Sequence, residues 1–149
     1  MSVMAETIIS DLRSIDHNRS VQIEIKPDMI VRVTPSLMRG VLENLLNNAW
    51  KFTSKVSNAK IEFGSYIENH KTIYFIKDNG AGFNPEYKHK LFNTFQRLHT
   101  EDEYPGTGVG LATVKKIIML HDGDIWADGS IGKGATFYFT IGKVKGKHH

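Results

Sequence analysis

The chain has 149 residues, enough for one domain with a real core, and its lack of cysteine excludes a disulfide framework and a thiolate metal site. Lys143, Lys145 and Lys147 near the C-terminus account for the whole formal net charge of +3. The body is therefore balanced and carries no basic, aromatic-interleaved stripe of the kind that binds nucleic acid. No apolar run approaches the ~20 residues of a membrane span and no signal-peptide pattern opens the chain. The expectation is a cytoplasmic piece without membrane contact of its own, with an anchor elsewhere in a longer parent protein left open.

Met4, Ile8, Ile9, Leu12 and Ile15 share one helical face, which predicts a leading helix over 4–15 and a turn over 16–20. Residues 21–26 alternate as a strand, Pro27-Asp28 turns, and 30–33 read as a returning strand, so a small hairpin is expected. Thr34 then stands as an N-cap before Pro35, the residue best suited to a first helical position. Leu37, Met38, Val41, Leu42, Leu45, Leu46, Ala49 and Phe52 continue with helical period and make this the central helix. Asn44, Asn48, Lys51 and Lys55 fall on one polar face beside the apolar stripe. Such a face is usually only solvated, but three asparagines in five residues (Asn44, Asn47, Asn48) lower helix propensity and ask for a use.

Residues 59–68 and 71–77 read as strands joined by a turn at Glu68-Asn69-His70, and the second runs into Asp78-Asn79-Gly80-Ala81-Gly82-Phe83. A short helix over 88–95 and a polar loop over 96–107, punctuated by Pro105, follow. That loop reads as mobile. Strands over 124–128 and 136–141, joined by a glycine-rich turn, close an α/β layer structure.

Between the loop and the last strands, the run Gly106-Thr107-Gly108-Val109-Gly110-Leu111 opens an amphipathic helix. Glycine lets the backbone approach a ligand, and a helix start offers N–H groups and the positive end of a dipole, so the run reads as a phosphate cradle as well as a turn. It is not a dinucleotide fingerprint, because Leu111 stands where the third glycine belongs and no strand precedes it. Nor is it a Walker A loop, since Gly132-Lys133 and Gly142-Lys143 are followed by Gly134 and Val144 rather than Ser or Thr.

The order of motifs carries more than any one of them. An asparagine helix, Asp-x-Gly-x-Gly, Phe92-x-x-Phe95, Gly-x-Gly-x-Gly and a last Gly-x-Gly before Thr136 succeed one another. This order resembles the ATP-binding catalytic domain of sensor histidine kinases, in the superfamily shared with DNA gyrase, the heat-shock chaperone ATPase and mismatch-repair ATPases. The resemblance covers about residues 20–142. Residues 1–19 then stand as a leading helix and connector from a preceding dimerisation domain, and 143–149 as a basic tail with the look of an expression remnant. The 96–108 run is similar to that of kinases joined to phytochromes or related sensors.

The resemblance implies a two-layer α/β sandwich of the Bergerat type, with a mixed, mostly antiparallel sheet covered on one face by helices. It implies ATP and Mg²⁺ as cofactors, with Asn48 as the metal ligand and Asn44 beside it. Lys51 would approach phosphate and Phe52 would pack near the base, although a core role suits Phe52 equally. Asp78 would accept the adenine amino group, Gly80 and Gly82 would let the chain pass close to the base, and Thr136 would set a hydroxyl near that acid. Arg97, after the Phe92–Phe95 box, would steady the γ-phosphate. Residues 106–111 would cradle the phosphates, with 96–107 as a lid. Ala135 and Gly142 stand where the family often has serine and proline, departures not expected to touch the chemistry.

The implied activity is donation of the γ-phosphoryl group to a histidine on a separate dimerisation domain, with a response regulator as indirect partner. The rivals are an ATP hydrolase or serine kinase of the same fold, or a nucleotide-sensing module without catalysis. Hydrolytic relatives carry glutamate at the position of Asn44, and the neighbouring Glu43 lies about 100° around the helix from it.

Overall fold

A computed structural model describes residues 1–16, 18–29, 34–88, 91–92 and 110–142. The described elements are α1 (Ser2–Ile15), β1 (Gln22–Ile25), α2 (Pro35–Phe52), β2 (Lys60–Glu68), β3 (Lys71–Asp78), a 3₁₀ turn (Pro85–Tyr87), α3 (Gly110–Leu120), β4 (Ile125–Gly129) and β5 (Ala135–Phe139). One sheet of order β1-β2-β3-β5-β4 results, parallel between β1 and β2 and antiparallel elsewhere. The expected sandwich is the observed one: helices cover one face of a mixed sheet, and among the described residues none is long and apolar enough to cross a membrane.

The central helix forms where the apolar period places it. Pro35 occupies the first turn and the Thr34 carbonyl accepts from Leu37 and Met38 N–H at 3.1 Å each, while the Thr34 side chain makes no capping bond. Met38, Val41, Leu42, Leu45, Leu46, Ala49 and Trp50 are buried. They meet Ile61 and Phe63 of β2, Ile76 of β3 and Phe137 and Phe139 of β5 in a single core. Tyr74 stacks on Phe139, its register partner across β3 and β5, with ring centroids 5.4 Å apart. On the uncovered face Phe75 lies over Gly64, and Trp126 stacks on Tyr138 at 5.5 Å, so aromatic side chains shield the sheet where no helix does.

The leading helix puts Ala5, Ile8 and Ile9 into the common core and contacts both α2 and β1. The described partner of β1 is β2, in parallel, because a strand that reaches its neighbour through a helix arrives pointing the same way. The returning arm of the expected hairpin, 30–33, lies outside the described residues. Of 88–95 the structure describes Lys88, Leu91 and Phe92, which are in turns, and a 3₁₀ turn falls just before them, where Asn84 accepts from the Glu86 N–H at 3.0 Å. Leu91 is nevertheless buried, and Phe92 meets Phe137 edge-on at 6.2 Å.

Candidate nucleotide-binding site

Asp78 ends β3 on the helix-covered face, only 6% exposed. A carboxylate there is short of solvent, and burial raises its pKa to about 6, while backbone hydrogen bonds from Gly80 and Ala135 pull it back. The Gly80 N–H donates to Oδ1 at 2.8 Å. These bonds leave the carboxyl with acceptor capacity in a dry setting, which suits recognition of a neutral amino donor.

Two glycines make the approach to Asp78 possible. A Cβ on Gly80 would run into the Phe52 carbonyl at the end of α2, and Gly82 has φ +67° with its Cα against the Ser130 carbonyl. Hydrogen bonds fasten the same segment on both sides. The Ala81 N–H donates to the Phe52 carbonyl at 2.9 Å, and the Ala81 carbonyl accepts from the Gly132 N–H at 2.8 Å. Phe83, fully buried, fills the space over Gly129 that a larger residue would occupy. Asn79 faces away and is structural: its side chain accepts from the Lys60 N–H at 2.8 Å and donates to the Asn58 carbonyl at 2.7 Å.

The polar face of α2 forms the adjoining wall. Asn44 and Asn48 are half-buried and Asn47 is exposed. The Asn44 Nδ2 donates to the Gly40 carbonyl one turn back at 2.7 Å, and its Oδ1 lies where a side chain on Gly110 would have to go, so Asn44 seats the start of α3 against α2. Lys51 and Phe52 are half-buried, and the ammonium sits 5.1 Å from the ring centroid. Leu111 is 8% exposed and belongs to the core, so it can offer a ligand its main chain but not its side chain. Glu43 is taken up by an ion pair with Arg39 at 2.9 Å on the exposed side of α2.

Thr136 is not beside Asp78. The β3–β5 register sets Asp78 opposite Ala135 and Thr136 opposite Lys77, and neighbouring residues of a strand point to opposite faces. Ala135 is thus the residue that stands across from the buried acid, and its backbone bonds to the carboxylate. Arg97, Phe95, Gly106, Thr107, Gly108 and Val109, with the expected lid over 96–107, lie outside the described residues.

Among the described residues no group of three or more His, Cys, Asp or Glu could hold a metal ion. A divalent ion here would have to share an amide oxygen with ligands brought by a nucleotide. The half-buried Asn48, one turn before the end of α2, fits that donor set, because Mg²⁺ in phosphate sites takes few protein ligands.

Residues 33–145 match the family described as histidine kinase-, DNA gyrase B- and HSP90-like ATPase. The chain belongs to that family. It is 44% identical over 113 residues to cyanobacterial phytochrome A of Nostoc sp. PCC 7120, an alignment covering 72% of this chain and 15% of that protein. To the phytochrome-like protein Cph1 of Synechocystis sp. PCC 6803 it is 36% identical over 138 residues, covering 93% and 18% respectively. It therefore spans less than a fifth of the length of these curated relatives. A solved structure of the catalytic domain of histidine kinase ThkA superposes with TM-score 0.77 at 26% identity, over 96% of this chain and 92% of that one. The frame around Asp78 is thus the frame of a histidine kinase ATPase domain.

Two features of the site escaped sequence reading. Ala135 could have been found only from strand register. Trp50, buried at the end of α2, continues the Leu42, Leu46 spacing inside the polar run from Asn44 to Lys51.

Proposed function

We propose that this chain binds Mg²⁺-ATP and donates its γ-phosphoryl group to a histidine on a separate dimerisation and phosphoacceptor domain, as the catalytic part of a sensor kinase acting in the cytoplasm. A response regulator would receive the phosphoryl group afterwards. The observation that carries this reading is the buried Asp78 carboxylate, reached along a backbone that only glycine at 80 allows, within a chain of the ATPase family. A carboxylate acceptor favours the adenine amino group over guanine, whose carbonyl at that position would leave it unpaired.

In this reading Asn48 holds Mg²⁺ together with the nucleotide phosphates, and the ion would supply charge neutralisation. Lys51 on the same turn adds a cation, and Arg97 and the main chain of Gly106 to Gly110 complete the phosphate site. The protein's contribution to transfer is positioning and charge placement. The hydrolase and serine-kinase rivals need a base near the γ-phosphate. Asn44, not glutamate, lies on the site face, and the Arg39–Glu43 ion pair keeps the neighbouring carboxylate on the exposed side.

Titration calorimetry with ATP and GTP, with and without Mg²⁺, tests binding. Incubation of the chain with radiolabelled ATP and a separately prepared phosphoacceptor domain tests transfer. Adenine-selective, Mg²⁺-dependent binding and acid-labile label on the added domain are expected. Equal affinities for ATP and GTP would refute the role of Asp78, and binding without transfer would leave the nucleotide-sensing rival.

A further inference from the structure

We propose that Arg19 is a positioning residue of the nucleotide site, acting through the C-terminal turn of α2. The inference rests on the ATP-binding reading above and concerns a residue outside both the motifs and the family-matched segment, which begins at residue 33.

Arg19 lies between α1 and β1, and its guanidinium reaches the end of α2. Nη1 donates to the Trp50 carbonyl at 2.5 Å and Nη2 to the Thr53 hydroxyl at 2.9 Å, while the guanidinium carbon stands 4.7 Å from the Trp50 ring centroid. The partners are themselves held. Thr53 is fully buried and donates to the Ala49 carbonyl at 2.8 Å, and the Trp50 indole N–H donates to Asp16 at 3.3 Å. The last carbonyls of a helix lack intrahelical partners and form the negative end of its dipole, so a planar cation with two parallel donors suits this place.

The consequence for the site comes from what lies between the two contacts. Lys51 and Phe52 separate Trp50 from Thr53, and the Phe52 carbonyl is the acceptor for Ala81 and the wall against Gly80. Asn48 is on the turn before. Arg19 thus fixes the turn whose carbonyl sets the distance between α2 and the Gly80–Gly82 segment, without touching nucleotide itself. A site that works by placement loses affinity when such a wall shifts by a fraction of an ångström.

The test uses the whole chain, a non-hydrolysable ATP analogue, and the variants Arg19→Ala, Arg19→Lys and Asp78→Asn. Affinity is measured at a temperature where circular dichroism shows each variant fully folded, and amide hydrogen exchange is read at Ala81 and at Phe137 in the sheet. Arg19→Ala is expected to weaken the analogue about tenfold and Arg19→Lys about threefold, since lysine keeps the charge but not the fork. The Ala81 amide should exchange about tenfold faster in Arg19→Ala with Phe137 unchanged. A purely stabilising role would speed exchange at both amides and leave the affinity of folded protein alone, and that pattern overturns the inference. So does unchanged affinity in Arg19→Ala while Asp78→Asn loses binding. If Arg19→Ala does not fold, the Arg19→Lys affinity and Ala81 exchange decide in the same way. A wild-type chain that binds no analogue overturns the ATP-binding reading, and this inference with it.

Discussion

Asp78 and Ala135 stand opposite each other in the β3–β5 ladder, and main-chain groups of Ala135 and Gly80 solvate the buried carboxylate. Thr136 is one residue along, opposite Lys77, on the uncovered face. Replacing Thr136 by valine should therefore leave affinity for an ATP analogue within about twofold, as for surface substitutions remote from a site. Ala135→Ser would place a hydroxyl donor on the Asp78 side of the sheet and move the carboxyl pKa down towards its ordinary range. Carbon-detected NMR titration of Asp78 checks the second outcome, and calorimetry the first. A tenfold loss in Thr136→Val would return that hydroxyl to the binding site.

The raised pKa of Asp78 also sets a pH dependence. Its folded value of about 6 lies above the ordinary 3.8 because burial disfavours the charge, so the native state binds the proton more tightly than the unfolded chain does. Stability should fall as pH rises from about 4 to about 6 and level off above, by at most about 3 kcal/mol for a shift of this size. Nucleotide binding runs the other way. An adenine amino group favours the charged carboxylate, so affinity should weaken below pH 6, by up to about tenfold per unit. Asp78→Asn should abolish both slopes and cost roughly 5- to 100-fold in ATP affinity at neutral pH. Urea melts and calorimetry across pH 4 to 8 measure them, and flat profiles in the wild type would show that the carboxyl titrates normally.

Gly80 and Gly132 separate close approach from backbone conformation. At Gly80 a methyl group would strike the Phe52 carbonyl, whereas at Gly132 it would meet nothing within 4 Å, the only penalty being φ +78°. Gly132→Ala should cost about 1 kcal/mol. Gly80→Ala should cost more, about 2–4 kcal/mol, and weaken nucleotide as well, because relief requires parting α2 from the segment that leads to Asp78. Chemical denaturation of both variants checks the order, and equal costs would mean that the loop yields freely.

How far the sequence could carry this structure depended on whether a feature is local. Pro35 and the apolar spacing from Leu37 to Phe52 specify α2 with near neighbours alone, and the strands agree with their alternation to within a residue or two at the ends. Asp78, Gly80 and Gly82 were legible as a motif, and the structure sets Gly80 against the Phe52 carbonyl and Gly82 against that of Ser130. The face of Thr136 was not legible, because a shift of one residue in register reverses every side chain and nothing local specifies the β3–β5 pairing. The parallel pairing of β1 with β2 follows from chain order once α2 is seen as the crossover, and the local turn signal at Pro27-Asp28 hid it. Arg19 and Trp50 meet across 31 positions of sequence, a separation that no periodicity reports.

Asn48 offers a cleaner separation of ligand and fold. It is half-buried on the polar side of α2, outside the core, and alanine is the better helix former. Asn48→Ala should leave the melting temperature of the empty protein unchanged or slightly raised while abolishing the Mg²⁺ dependence of nucleotide binding. Differential scanning calorimetry with and without Mg²⁺ and ATP tests both halves. A sharp fall in the melting temperature without ligand would make Asn48 a structural residue.

The chain by itself should neither label itself from ATP nor turn ATP over quickly. Among the described residues the histidines are poorly placed to receive a phosphoryl group. His70 is in the β2–β3 turn, and the whole of β3 separates it from Asp78, about 25 Å at the rise of an extended strand. His121 is half-buried at the end of α3, with Nδ1 3.0 Å from the Ile117 carbonyl. Water fares no better as acceptor, since Asn44 cannot serve as a base and Glu43 is paired with Arg39 away from the site. The purified chain incubated with γ-labelled ATP and Mg²⁺, alone and with a phosphoacceptor domain, is the test. Acid-labile label on the added domain only is the expected outcome. Stable label on this chain alone, or phosphate release faster than transfer, would mean that a nucleophile or a base within it reaches the γ-phosphate.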